Sequence, residues 1–119
     1  KPEYNPAVNK PEDIIIFCKE IKMTDFTRPL VSQLIRSATS IGANYMEANQ
    51  ASSKKDFNNK IRISQKEANE SKHWLRMIVV VCPELKGDAQ VLWQESKELN
   101  LIFNAITNKI KQKRRLVIK

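Results

Sequence analysis

The sequence predicts an all-α protein, built as an up-down antiparallel four-helix bundle. Apolar residues recur at steps of three and four in four segments, and no sustained alternation of apolar and polar residues indicates a strand. Glycine and proline are rare, with 2 and 5 of the 119 residues. Short connections between the segments favour antiparallel neighbours. We expect an N-terminal extension over residues 1–9, the bundle over residues 10–112 and a basic C-terminal tail over residues 113–119.

The first helix is expected over residues 10–22. Asn9 and Glu12 have the spacing of a capping box, and Pro11 suits a first helical turn. The apolar face of this helix consists of Ile14, Phe17, Cys18 and Ile21. The MTDFTRP segment then ends the helix, because it combines a proline with residues that favour turns.

The second helix is expected over residues 29–51, with Pro29 in its first turn. Its seam steps alternately by three and four: Leu30, Leu34, Ala38 or Ser37, Ile41, Tyr45 and Ala48. Serine, glycine and alanine occupy many of its other positions, where leucine, lysine or glutamate would form a helix better. This composition indicates a helix that is packed closely on more than one side.

The third and fourth helices carry the most regular seams. Ser53 with Asp56 resembles a cap for the third helix, and Pro83 marks its end. Its seam is Phe57, Ile61, Ser64, Ala68, Ser71, Leu75, Ile78 and Cys82. A turn containing Gly87 is expected next, with Asp88 as the N-cap of the fourth helix. The seam of that helix is Leu92, Ser96, Leu99, Phe103, Ile106 and Ile110.

One cross-helix pairing follows from this arrangement. If the second and third helices are antiparallel around a turn near Ser53, Arg36 faces Glu70 and Asn44 faces Arg62. The polar row beside Arg36 contains Gln33, Ser40, Asn44 and Glu47. This row has two interpretations: an ion pair that sets the register of the two helices, or a polar seam at a subunit contact.

The net charge of +8 is concentrated at the C-terminus. Residues 109–119 hold six cations and no acid, which leaves 8 − 6 = +2 for the rest of the chain. These cations could be the solvated end of a helix, where positive charge offsets the helix dipole. Alternatively they bind the backbone of a nucleic acid. The tail candidates for that role are Lys109, Lys111, Lys113, Arg114, Arg115 and Lys119. The secondary candidates are Lys54 and Lys55, in the turn before the third helix, with Arg62 and Arg76.

Aromatic residues could add base stacking to such an interface. The four considered are Phe57, Trp74, Trp93 and Phe103. Their heptad spacing beside leucine and isoleucine is more typical of core positions than of stacking platforms. We therefore expect them in the core.

Residues that carry catalysis or bind metals are scarce. Two glycines are too few for a nucleotide-binding glycine loop, and His73 is the single histidine, so zinc-ligand spacing fails. Glu70 and His73 are one turn apart, a spacing that can hold a metal, but plain surface contacts are favoured. Ser37 and Ser40 have no partner that the sequence identifies as a base. We expect no enzymatic activity, no metal and no cofactor.

The two cysteines indicate a reducing compartment. Cys18 and Cys82 lie in apolar segments, where a free cysteine behaves as a small buried hydrophobe. No signal peptide opens the sequence, and the longest apolar run, residues 77–82, is too short to span a membrane. We expect a cytoplasmic protein without a membrane partner.

Residues 33–48, QLIRSATSIGANYMEA, carry a family resemblance. The RSA-x-SI-x-x-N-x-x-E core is similar to the second-helix signature of the four-helix-bundle proteins encoded in intervening sequences of bacterial 23S rRNA genes. Phe57, Ile61 and Ile63, followed by Glu70, resemble the third helix of that family. The resemblance implies a bacterial cytoplasmic protein that assembles as a homopentameric barrel. A similar protein, the accessory subunit of diversity-generating retroelements, binds a reverse transcriptase and nucleic acid.

These inferences lead to one functional hypothesis and one alternative. The first is a non-enzymatic homo-oligomeric bundle that binds RNA, DNA or a nucleic-acid enzyme, such as a reverse transcriptase, through basic surface. The alternative is a protein–protein interaction scaffold with no nucleic-acid role. The residues expected to support assembly are Gln33, Arg36, Ser37, Ser40, Asn44, Glu47 and Glu70.

Overall fold

The computed structural model describes the backbone of residues 6–118 and the side chains of residues 11–109. Its helices are α1 (Pro6–Lys19), α2 (Thr27–Asn49), α3 (Lys54–Val81) and α4 (Lys86–Ile118), with a 3-10 turn at Pro83–Leu85. The described residues contain no strand, so the predicted all-α class is confirmed. Each helix packs on the next, and α4 returns to α1. This is the connectivity of a four-helix bundle.

The predicted seams form the core. All four helices contribute to one cluster around Leu34, Leu75 and Ile78, whereas α2, α3 and α4 form a second around Ile61 and Phe103. The predicted apolar face of the first helix is buried as expected. The side chain of Ile110, the last predicted seam residue, lies outside the described residues. Buried apolar surface of this kind is the main source of helix stability in a bundle.

The small residues of α2 allow close approach to α3. Ser37 and Ser71 are fully buried and their hydroxyls lie 2.8 Å apart. Ser64 donates to the carbonyl of Ile41 across the same contact, at 3.1 Å. Larger side chains at these positions would hold the two backbones apart. Packing within one chain therefore explains the buried small residues of α2, which are Ser37, Ala38, Gly42 and Ala48.

The starts of three helices differ from the sequence predictions, and two helices end earlier than expected: α1 at Lys19 instead of residue 22, and α2 at Asn49 instead of residue 51. Ile21 is therefore buried from the turn after α1 and not from the helix itself. α1 begins at Pro6, because proline is well suited to a first helical position, so Asn9 and Pro11 lie inside the helix instead of capping it. α2 begins at Thr27, where the hydroxyl of Thr24 accepts hydrogen bonds from the backbone of Phe26 and Thr27. The Ser53 cap is confirmed, since its hydroxyl accepts from the Asp56 amide at 3.0 Å.

The third difference is the start of α4. The 3-10 turn at Pro83–Leu85 leads directly into the helix at Lys86, so Gly87 and Asp88 belong to its first turn. Gly87 does not adopt a positive φ, and Asp88 is not the N-cap that the sequence predicts. An acidic residue in a first turn still interacts favourably with the helix dipole.

Candidate nucleic-acid interface

The outer edge of α3 is a continuous row of exposed residues, which we call the basic stripe. Its members are Lys55, Asn59, Arg62, Lys66, Asn69, His73, Arg76 and Val80, and each is exposed. They step by four and three, the same period that places Ile61 and Leu75 in the core on the opposite face. The row holds four cations and no acid among its own members, although Lys66 interacts electrostatically with Glu70 beside the row.

A shallow surface depression of about 500 Å³ follows the middle of the basic stripe. It is lined by Arg62, Gln65, Lys66, Asn69, Glu70, His73 and Trp74. Glu70 is the one acid among these lining residues. Its carboxylate accepts a hydrogen bond from Arg36 at 2.9 Å, which offsets its charge.

Arg36 bridges α2 to two carboxylates of α3. One guanidinium nitrogen donates to Glu67 and the other to Glu70, both at 2.9 Å, while Nε donates to Gln33. The hydrogen bond with Glu70 is the main cause that raises the pKa of Arg36. Burial is the main cause that raises the pKa of Glu67. The pKa of Glu70 is lowered, first by its hydrogen bond with Glu67 and then by its hydrogen bond with Arg36. The predicted Arg36–Glu70 pair therefore forms, within one chain.

The rest of the polar row on α2 also has partners within the chain. Asn44 donates to the carbonyl of Ser40 at 2.9 Å, and Glu47 pairs with Lys60 at 3.1 Å. No hydrogen bond joins Asn44 to Arg62 among the described residues, since Asn44 donates to Ser40 and Arg62 is an exposed member of the basic stripe. These contacts favour the interpretation of the row as a device that sets helix register.

The structure distributes the predicted cations unevenly. Lys55, Arg62 and Arg76 lie together on the basic stripe, and Lys54 is exposed beside it. Lys109 is exposed on α4. The side chains of the remaining tail candidates lie outside the described residues: Lys111, Lys113, Arg114, Arg115 and Lys119.

A second basic feature adjoins the stripe, in a groove of about 380 Å³ between α3 and α4, which we call the Trp93 groove. It is lined by Leu75, Arg76, Val79, Lys86, Ala89, Gln90 and Trp93. The amine of Lys72 lies 5.1 Å from the centre of the Trp93 ring, and that of Lys97 lies 5.9 Å from it. Both are cation–π distances. No acidic residue is among those that line this groove.

Sequence reasoning missed this groove because it assigned Trp93 to the core. Trp93 does pack on the first core cluster, but it is only half-buried, as are Phe57 and Trp74, whereas Phe103 is fully buried. A signal was present on α4, where Lys86, Gln90, Trp93 and Lys97 step by four, three and four. The contribution of Lys72 depends on the register of α3 against α4, which local sequence does not specify.

Acidic residues gather on another side of the bundle, along a groove of about 330 Å³ between α1 and α4. Its floor is apolar, and Ile16 and Val91 in it are 61% and 59% exposed. Its rim is formed by Asp13, Glu20, Asp88 and Glu95. We call it the acidic groove. Within the described residues α1 packs on α2 and α4 and makes no close backbone approach to α3, so this groove is separated from the basic stripe.

The histidine and cysteine side chains of the described residues have ordinary structural surroundings. Side chains 11–109 contain no cluster of three or more histidine, cysteine or acidic groups placed to hold a metal. His73 instead lies edge-on to Trp74, with ring centres 4.7 Å apart. Cys18 and Cys82 are free thiols, and burial raises the pKa of Cys18 to about 11. Among the described helices, none has the length and apolar character that crossing a membrane requires.

Comparison with known proteins identifies one family. The model of the 23S rRNA-intervening sequence protein family matches residues 5–82, which span α1 to α3. The chain is also similar to a crystal structure from Bacteroides thetaiotaomicron VPI-5482, a protein of unknown function from the S23 ribosomal protein family. The two are 32% identical with a TM-score of 0.76, over 86% of this chain and 94% of the other. No curated protein matches.

Proposed function

The chain belongs to the 23S rRNA-intervening sequence protein family, and we propose that it is a non-enzymatic, homo-oligomeric nucleic-acid-binding protein of the bacterial cytoplasm. The observation that carries the proposal is the basic stripe. Four exposed cations on one helix edge, with no acid among them, form a surface that attracts phosphates regardless of base sequence. Two free cysteines are in keeping with a reducing compartment.

The dimensions of the stripe suit a polymer better than a small anion. Lys55 and Arg76 are 76 − 55 = 21 residues apart, which is about 31 Å along a helix. On a duplex, each strand carries one backbone charge per about 3.4 Å of the helix axis, so the stripe is as long as about nine base pairs. Between the cations, Asn59, Asn69 and His73 supply hydrogen-bond donors for phosphate or sugar oxygens.

A salt titration tests this function. If each of the four cations of the stripe contacts one phosphate, the logarithm of the affinity for duplex DNA should fall linearly with the logarithm of the salt concentration. The stripe then contributes a slope of about −3.6. The R62Q/K66Q variant should reduce this slope by about 1.8 units. The matched control is K22Q/R28Q, which removes two exposed cations away from α3. Absence of binding at low salt, or equal slopes in both variants, would overturn the proposal.

The cations of residues 109–119 are assigned the same role and are tested separately. A chain that ends before residue 109 loses six cations and no acid. If the tail contacts phosphates, its removal lowers both the affinity for RNA and duplex DNA and the salt slope. An unchanged slope would limit the interface to the folded bundle and leave the tail as the solvated end of α4.

The homo-oligomeric part of the proposal, which the alternative function as a protein-interaction scaffold shares, is supported by one feature, the acidic groove. Its exposed Ile16 and Val91 lie among four carboxylates, and no lysine or arginine is among its lining residues. We propose that a second copy of this chain occupies it, since the chain carries a net charge of +8 and its acidic groove complements a cationic surface of the neighbour. A contact between different surfaces of identical chains builds rings, and the pentamer implied by the family resemblance is such a ring.

Mass measurement by light scattering tests the assembly. Val91→Asp places a charge in the acidic groove, whereas Leu101→Asp places the same charge further along α4, outside the residues that line the groove, where the native leucine is 61% exposed. We expect a multiple of the chain mass for the native protein and for L101D, and a smaller mass for V91D. A native monomer, or equal masses for the two variants, contradicts the proposed contact. Assembly without nucleic-acid binding would favour the scaffold, with a nucleic-acid enzyme such as a reverse transcriptase as a candidate partner.

A further inference from the structure

We infer that the Trp93 groove binds an unpaired base, so that single-stranded nucleic acid is the preferred ligand of the basic surface. Trp93 would stack on the base while the cations around it contact the adjacent phosphates. Those cations are Lys72, Arg76, Lys86 and Lys97. This inference rests on the proposed nucleic-acid binding and adds a preference that the basic stripe alone does not supply.

The groove continues the path of the stripe. Arg76 belongs to both features, so a strand whose phosphates follow α3 would reach the Trp93 groove without leaving positive charge. The groove volume of about 380 Å³ lies within the range of small-molecule sites and leaves room for one nucleotide. Its walls are apolar at Leu75, Val79 and Ala89, which suits the faces and edges of a base.

The two lysines at the Trp93 ring do not prevent a base from stacking on it. The terminal amines of Lys72 and Lys97 lie 5.1 and 5.9 Å from the ring centre. A cation–π contact at an exposed site is weaker than the stacking of a base on an aromatic ring. A base can therefore displace a lysine, whose long side chain keeps the charge within reach of a phosphate.

Preference for a single strand follows from the geometry of a duplex. Paired bases are already stacked on their neighbours, so they present no free face to Trp93, whereas the bases of an unpaired strand do. The basic stripe contacts only the sugar–phosphate backbone, so it binds single-stranded and duplex nucleic acid alike. The groove should accept bases of any identity, because every base has a face that can stack.

The test compares labelled RNA of about 12 nucleotides, unpaired or annealed to its complement, by fluorescence anisotropy with the full chain. Trp93→Leu keeps an apolar side chain against the core but removes the stacking surface. We expect its affinity for the single strand to fall about 5- to 100-fold, and its affinity for the duplex less than about twofold. Equal loss for both probes, or no loss for the single strand, would overturn the inference.

Two further measurements keep the test decisive if Trp93→Leu folds poorly. Lys72→Gln with Lys97→Gln removes two cations at the ring and should weaken single-strand binding more than duplex binding. In the native protein, the single-stranded probe should quench tryptophan fluorescence more than the duplex does at equal occupancy. Equal quenching contradicts the inference. If neither probe binds the native chain, the proposed function itself fails, whereas equal binding of both with unchanged variants removes only the preference for single strands.

Discussion

Removal of the Arg36 guanidinium should destabilise the bundle mainly by leaving Glu67 charged without a cation. The Glu67 side chain is 10% exposed, whereas those of Arg36 and Glu70 are 45% and 38% exposed. The Arg36–Glu70 contact is therefore screened by solvent and contributes about 0–1 kcal/mol. Loss of the partner of a largely buried carboxylate costs about 1–3 kcal/mol. We expect Arg36→Met, which retains an apolar stem, to lower the free energy of unfolding by about 2 kcal/mol.

The penalty should depend on pH. Burial raises the folded-state pKa of Glu67, a shift that Arg36 opposes, so loss of Arg36 raises that pKa further. A carboxyl whose folded pKa lies above its unfolded value adds stability as pH falls through the raised value. The pKa of Glu70 is lowered in the folded state, so Glu70 stabilises the fold at pH values above its unfolded-state pKa. This stabilisation is lost as the pH falls through its folded-state pKa. Both effects make the cost of Arg36→Met larger at neutral pH than near the ordinary glutamate pKa.

Urea unfolding, followed by far-UV circular dichroism at one protein concentration, measures these free energies. Glu67→Gln alone should lie within about 0.5 kcal/mol of the native chain, and in the Arg36→Met background it should recover about 1 kcal/mol, because it removes the uncompensated charge. The reasoning is refuted if Arg36→Met costs the same at both pH values, or if the double variant is no more stable than Arg36→Met.

Three other predictions concern packing, capping and thiol chemistry. Phe103→Ala should cost about 3–5 kcal/mol in urea unfolding, because Phe103 is fully buried; Leu101→Ala, at a side chain 61% exposed on the same helix, should change stability by less than about 0.5 kcal/mol. Comparable losses would contradict the core assignment. Ser53→Ala should cost about 1 kcal/mol by removing the α3 cap, while Ser52→Ala, at the exposed neighbouring residue, should not. Cys18, with its pKa raised to about 11 by burial, should react with a thiol reagent only after unfolding, whereas the half-buried Cys82 should react first; equal rates in the native protein would contradict this order.

The sequence predicted α2 and α3 most closely because their signals are local. A seam at steps of three and four, a serine cap at Ser53 and a terminating proline at Pro83 each act within a turn or two. The starts of α1 and α4 were predicted later than they occur, since Pro6 and the 3-10 turn at Pro83–Leu85 begin or extend helices ahead of the expected caps. Several residues near a helix end can serve as its start, and contacts elsewhere select among them.

The sequence predicted individual cations of the candidate interface but not the surface that they form together. Lys55, Arg62 and Arg76 were each named, but their common row with Lys66 was recognised only when the outward face of α3 was known. The Trp93 groove was not predicted, because it needs Lys72 of α3 beside Trp93 of α4, 93 − 72 = 21 residues later in the chain. Spacing within one helix does not reveal which residues of another helix lie next to it.

The sequence by itself determined the all-α class, the four seams and the excess of positive charge, because helical period and composition are properties of the chain alone. The tertiary structure decided which surfaces the helices form together. Contacts such as that between Ser37 and Ser71 set the register of α2 and α3, and with it the place of Arg36 beside Glu67 and Glu70. Such contacts join residues far apart in sequence, so only the packed bundle separates a basic stripe on α3 from an acidic groove between α1 and α4.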